Sequence, residues 1–207
     1  MEEQETVAQE MSHRLKNLFA MTDGMIHGSA KSADTPQAMA GALSGRIHAL
    51  ASAHSLVRRK ISDLSTSPAT TDLNDLIRAV VGAHVSANGR DASSIRLDGP
   101  PVSCGDHASN GIALVIHELA TNASKYGALK NEDGSIEIGW QILGDKVVLK
   151  WEESGGPPIE SAPTLNGFGS TLMQRTIKGQ FRGVLQRDWR PHGLAVMVTL
   201  SLSRMST

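Results

Sequence analysis

The sequence predicts an α+β chain, with an antiparallel pair of amphipathic helices followed by a sandwich in which helices cover one face of a mixed sheet. Three observations carry this. Apolar residues recur at helical spacings from Val7 to Ile26 and again from Met39 to Ile61, which gives each stretch one buried stripe. A polar stretch, SDLSTSPATT at 62–71, then separates these helices from the rest. Beyond it, alternating runs come in pairs joined by short turns: SIEIGWQI with KVVLKWEE, and GVLQRDW with LAVMVTLSL. That is the pattern of β-hairpins, and hairpins interleaved with helical stretches pack as helices on a sheet.

Composition narrows the class. The chain has 207 residues, enough for one large domain or two small ones. A net charge of −1 and a pI near 6.7 supply no basic field for nucleic acid. The Arg58-Arg59-Lys60 cluster reads as an exposed helix end. Cys104 is the single cysteine, so no intramolecular disulfide framework is possible and a reducing, cytoplasmic compartment is expected. No apolar run approaches the ~18 residues of a membrane span, and the acidic start MEEQETVAQE lacks a signal-peptide pattern. Apolar residues make up 40% and aromatics only 3%, so the core must be aliphatic.

The first helix is expected over residues 3–30, with Val7, Met11, Leu15, Leu18, Met25 and Ile26 on its seam and Gly24 and Gly28 weakening it. His13 lies opposite that seam, with Asn17 one turn on and Arg14 and Lys16 beside it. A helical His is usually structural, but this one faces water. Its neutral imidazole is a competent nucleophile, and the flanking cations favour an approaching anion. SADTP at 32–36 is a turn signal. A second helix follows over 37–61, with a stripe of Met39, Leu43, Leu50, Val57 and Ile61; Arg46 and Ile47 lie nearby, and His54 reads as structural. Two such helices make a poor core, and a second copy completing a four-helix bundle would bury both seams. The organisation is therefore a helical hairpin at 1–63 and a second domain at 72–207.

In that second domain Asp72 caps a helix over 73–88, and SIRL at 94–97 is a short strand. The central helix is expected from Ile112 to Leu129. Ile112, Ile116, Leu119 and Ala123 share one stripe, while Glu118, Asn122 and Lys125 share another face. A carboxylate one turn before a carboxamide can relay a proton and offer a hard oxygen to Mg²⁺, although an isolated E-x-x-x-N is more often a solvated polar face. In the strand KVVLKWEE, Val147, Leu149, Trp151 and Glu153 point inward and Glu152 outward. An inward carboxylate needs a partner. The loop GGPPIESAPTLN at 155–166 leads into GFGST, where Gly167 and Gly169 permit close backbone approach at the start of a helix over 169–179.

Four of these stretches resemble the motifs of the HWE family of histidine kinases. They are HRLKN at His13–Asn17, HELATNASKYGAL at His117–Leu129, the W-x-E of Trp151 and Glu153, and GFGS at Gly167–Ser170. The resemblance implies a dimerisation and phosphotransfer hairpin followed by a Bergerat-type ATP-binding sandwich. It implies that His13 is the phosphoacceptor, Glu118 the group that polarises or deprotonates it, and Asn122 a ligand of Mg²⁺. Glu153 would read the adenine of ATP, where related kinases use Asp before G-x-G; here Ser154, Gly155 and Gly156 follow. Gly167, Phe168, Gly169, Ser170 and Thr171 would cradle the phosphates. Lys125 and Tyr126 would contact phosphate or ribose, with Asn110 a further candidate. His117 points away from Glu118 and Asn122, which suits packing or support from behind the site residues. The phosphoryl group would pass to an aspartate on the receiver domain of a separate response regulator. Only MEEQETVAQEMS precedes His13, so sensing is expected from a missing segment or a partner. Two other readings use the same residues: a histidine phosphotransfer protein without ATPase activity, and a Bergerat-fold serine kinase or ATPase.

Overall fold

The structure, a computed structural model, describes residue 16 and residues 19–61, 70–87, 89, 91–163 and 167–206. His13, Asn17, the linker at 62–69 and the loop end at 164–166 lie outside the described residues, as do the side chains of Arg58, Arg59 and Lys60. The chain divides into two compact units, Met1–Gly45 and Arg46–Thr207.

In the first unit, residues 19–32 form helix α1, which runs through Gly24 and Gly28 without a break. Helix α2, Pro36–Ile61, begins there and continues into the second unit. Its start is written in the sequence. Thr35 Oγ1 accepts from the amide of Ala38 at 3.1 Å, and Pro36 takes the first helical position, where no amide is needed.

The second unit is two-layered. Strand β1, Thr71–Asp72, pairs antiparallel with β3, Ser103–Cys104. Between them lie helix α3, Leu73–Ala87, and strand β2, Ile95–Asp98. Asp72 caps α3 as expected, with Oδ1 accepting from Asn74 N at 2.8 Å. The central helix α4 spans Asp106–Lys125. Strands β4, Ser135–Leu143, and β5, Lys146–Ser154, form the first hairpin, turning at Gly144 with φ +61°. Helix α5, Phe168–Arg175, continues as a π-turn at Thr176–Gln180. Strands β6, Val184–Arg190, and β7, Gly193–Ser201, form the second hairpin.

The large sheet runs in the order β2-β4-β5-β7-β6, with β2 parallel to β4 and every other pair antiparallel. Period-two alternation puts Ile136, Ile138, Val147, Leu149, Trp151, Val196 and Val198 on its buried face. They join one core with Leu73, Leu76, Ile77 and Val80 of α3 and Ile112, Ile116 and Leu119 of α4. This is the expected α+β architecture.

Two boundaries differ from the sequence reading. Helix α4 starts six residues before Ile112, because HASNG carries too little apolar signal to mark a buried face, yet Ala108, Ser109 and Gly111 are buried. It ends at Lys125, and Ala128–Lys130 form a separate 3₁₀ turn. His54, expected on the apolar stripe of α2, is exposed and stands 3.7 Å from Asp106. Among the described residues, the buried positions of that helix are Arg46, Ala49, Leu50, Ala53 and Val57. Among the described residues, no helix is long and apolar enough to cross a membrane.

Candidate active site

Helix α4 carries the centre of the site. Glu118 and Asn122 sit one turn apart, Glu118 buried and Asn122 half-buried. Burying a carboxylate demands compensation, and Arg46 of α2 supplies it. Arg46 Nε donates to Glu118 Oε1 at 2.6 Å and Nη2 donates to Oε2 at 3.2 Å. The side chains are 8% and 5% exposed, so this is a buried, forked pair. The guanidinium also lies over the Phe168 ring, 5.0 Å from its centroid, a cation–π contact.

Phe168 belongs to the Gly-rich start of α5, whose N-cap is Gly167. A Cβ on Gly169 would collide with Oε2 of Glu118, whereas one on Gly167 would meet nothing. The glycine at 169 therefore lets α5 lie against the Glu118 carboxylate. Ser170 and Thr171 are half-buried in the first turn, with Thr171 N donating to Gly167 O at 3.3 Å. The structure thus sets Glu118 against the start of α5 at Gly169, with Asn122 one turn further along α4. Lys125 and Tyr126 end α4 as exposed side chains, Tyr126 being 73% exposed.

A second corner forms around the W-x-E stretch. Trp151 and Glu153 share the inner face of β5. Trp151 is fully buried, and its Nε1 donates to Glu153 Oε1 at 3.0 Å. The other oxygen, Oε2, accepts from the amide of Ala128 at 2.9 Å. Burial pushes the Glu153 carboxyl above its ordinary value, and these two hydrogen bonds oppose that rise. Backbones crowd here. A Cβ on Gly127 would strike Glu153, one on Gly155 (φ +74°) would strike Asp133 O, and one on Gly156 would strike the amide of Ala128. The two glycines after W-x-E therefore let β5 turn tightly over the end of α4. The loop that follows is tied down at Ile159, whose amide donates to Pro191 O at 3.1 Å.

His117 is buried on the side of α4 that meets α3. Its Nδ1 is 3.0 Å from His84 Nε2, and its Nε2 is 3.5 Å from Thr121 Oγ1. Burial is the main cause that lowers its pKa to about 4, helped by the charges of His84, Arg46 and Lys125. Burial also lowers that of His84. A neutral pair that donates from one ring to the other joins α3 to α4 at this point.

Arg46 and His84 went unrecognised as site residues in the sequence. A signal existed for Arg46: it falls at helical spacing with the buried Leu50, Ala53 and Val57, and a cation in an apolar stripe needs an anion. A cleft of about 290 Å³ opens at the strand ends, lined by Arg96, Glu137, Glu152, Glu153 and Arg190. Its charges neutralise one another, as in the Glu152–Arg190 contact of 3.2 Å, and it gathers neither Glu118 nor Asn122. Among the described residues, no cluster of three or more His, Cys, Asp or Glu could hold a metal. Asn122 offers one hard oxygen, which suits an Mg²⁺ held mainly by phosphates and water.

The chain is similar to known histidine kinases. The family model for the HWE histidine kinases matches residues 10–101. Blue-light-activated histidine kinase 1 of Erythrobacter litoralis is 34% identical over 201 residues, covering 96% of this chain and 54% of that protein. The blue-light-activated histidine kinase of Brucella anthropi is 33% identical over 196 residues, 93% of this chain and 38% of that one. The chain thus spans about half the length, or less, of these curated relatives. The solved histidine kinase domain from the Erythrobacter litoralis EL346 blue-light activated histidine kinase superposes with a TM-score of 0.63 at 17% identity, over 90% of this chain and 97% of that one, and so shares the fold. Over residues 10–101 the chain thus matches the HWE histidine kinases, and over nearly all of its length it is similar to curated histidine kinases.

Proposed function

We propose that this chain is the core of an ATP-dependent protein-histidine kinase in cytoplasmic two-component signalling. The observation that supports the reading is the contact of Glu118, and of its partner Arg46, with the Gly-rich start of α5. Residues 1–63 form the dimerisation and phosphotransfer hairpin, a four-helix bundle in the homodimer. Residues 72–207 form the Bergerat-type ATP-binding domain.

Asn122 would hold Mg²⁺, which when bound would neutralise charge on the phosphates during transfer. Glu153 accepts from the adenine amine through lone pairs that Trp151 and Ala128 leave open. The segment Gly167–Thr171 wraps the phosphates, and Lys125 and Tyr126 close over phosphate or ribose. The ε nitrogen of His13 attacks the terminal phosphorus. A nitrogen–phosphorus bond forms, the bond from phosphorus to the bridging oxygen breaks, and ADP leaves with the electron pair. Glu118 takes the imidazole proton. The phosphoryl group then passes to an aspartate of a response-regulator receiver domain.

The test is incubation with Mg-ATP and measurement of acid-labile, base-stable phosphate on the full chain. His13→Ala and Asn122→Ala should each abolish labelling. Nucleotide binding with no labelling of the wild type would favour an ATPase. No nucleotide binding, with His13 accepting phosphate from a phosphorylated receiver, would favour a phosphotransfer protein.

A further inference from the structure

We infer that Arg46 is a phosphate-binding residue that changes partners: it leaves the Glu118 carboxylate for the terminal phosphate of a bound nucleoside triphosphate, and so frees Glu118 to accept a proton. The inference rests on the reading of α4 and α5 as a nucleotide site.

The geometry creates the need. Both oxygens of Glu118 accept hydrogen bonds from Arg46, at 2.6 and 3.2 Å. A carboxylate held in that fork has its proton-accepting edge covered. For Glu118 to act as a base, the guanidinium must move, and a buried guanidinium moves only to another anion. The structure also supplies the destination. The guanidinium already stacks 5.0 Å from the ring of Phe168. Phe168 stands between Gly167 and Gly169 in the segment that faces Glu118. An anion seated on that segment would compete with Glu118 for the same fork, and a triphosphate outbids a carboxylate in charge. The planar fork suits a terminal phosphoryl group, which offers three equivalent oxygens. Phe168 can support the cation in either position. In this scheme the pair guards the base until substrate arrives, and the γ-phosphate is what separates ATP from ADP.

The experiment compares ATP and ADP affinity, by titration calorimetry with Mg²⁺, in the wild type and Arg46→Ala, together with His13 labelling. The expected result is an affinity for ATP reduced about tenfold with ADP affinity within about twofold. Labelling should fall by about a hundredfold and recover in part when millimolar guanidinium is added, a rescue that a purely structural role would not show. Equal loss of ATP and ADP affinity, unchanged affinity for both, or faster labelling than the wild type would overturn the assignment. Should Arg46→Ala fail to fold, Arg46→Lys keeps the charge. It is expected to retain a preference for ATP over ADP, and loss of that preference with folding intact would overturn the inference. Binding by the wild type separates the two levels. If the wild type binds neither Mg-ATP nor Mg-ADP, the nucleotide reading itself fails. If the wild type binds both while Arg46→Ala ignores the third phosphate, only the role of Arg46 fails.

Discussion

Acidification should weaken the second unit through His117. Its ring is 9% exposed, hydrogen-bonded to His84, and held neutral, with its pKa lowered from 6.5 to about 4. The charges that face it, on Arg46, Lys125 and a protonated His84, all act in the same direction. A depressed folded pKa means that the unfolded chain takes up the proton first. The stability from neutral His117 is therefore complete above pH 6.5 and is lost as pH falls towards about 4. With those two values, the differential proton binding at pH 4.5 amounts to roughly 2–3 kcal/mol, and His84, also lowered by burial, adds with the same sign. Urea unfolding at pH 7 and pH 4.5 measures the loss, for the wild type and for His117→Gln, which cannot titrate. Tryptophan fluorescence is the probe, because Trp140, Trp151 and Trp189 all lie in the second unit. The wild type should lose roughly 2–3 kcal/mol more than the variant between the two pH values. Equal losses, within about 0.5 kcal/mol, would refute the buried neutral pair as the cause.

Other substitutions test the two corners of the site. Gly169→Ala places a methyl against Glu118 Oε2, so it should destabilise by about 1–3 kcal/mol in thermal melts. Gly24→Ala, in α1 with nothing near its added carbon, should stabilise its helix by up to about 1 kcal/mol. Trp151→Phe removes the Nε1 donor from Glu153 and should cost about 1.5–3 kcal/mol. Losing a donor drives the already raised Glu153 carboxyl higher, so the folded state binds its proton more readily and the cost should be smaller at pH 5 than at pH 8. A pH-independent cost would point to lost packing instead.

Much of the fold was legible because its signals are local. The period-two runs marked β4 with β5 and β6 with β7, and put Trp151 and Glu153 on one face, where two-residue spacing alone makes them neighbours. Helical spacing likewise stacked Glu118 and Asn122. Boundaries slipped where the pattern fell silent, as at HASNG, and His54 was misplaced because a stripe drawn through Leu43 and Ile61 sits slightly askew of the one that is buried.

By itself, the sequence determined which segments are helices and strands, which residues share a face within each, and which family motifs the chain carries. The partners across elements came only with the tertiary structure: Arg46 on Glu118, 72 positions apart, His84 on His117, Ala128 on Glu153, and the space at Gly169 that the Glu118 carboxylate fills. The reason is physical. Periodicity follows from the geometry of a single element. A buried charge or imidazole finds its complement on another element, and which one it meets depends on how the helices and sheet pack.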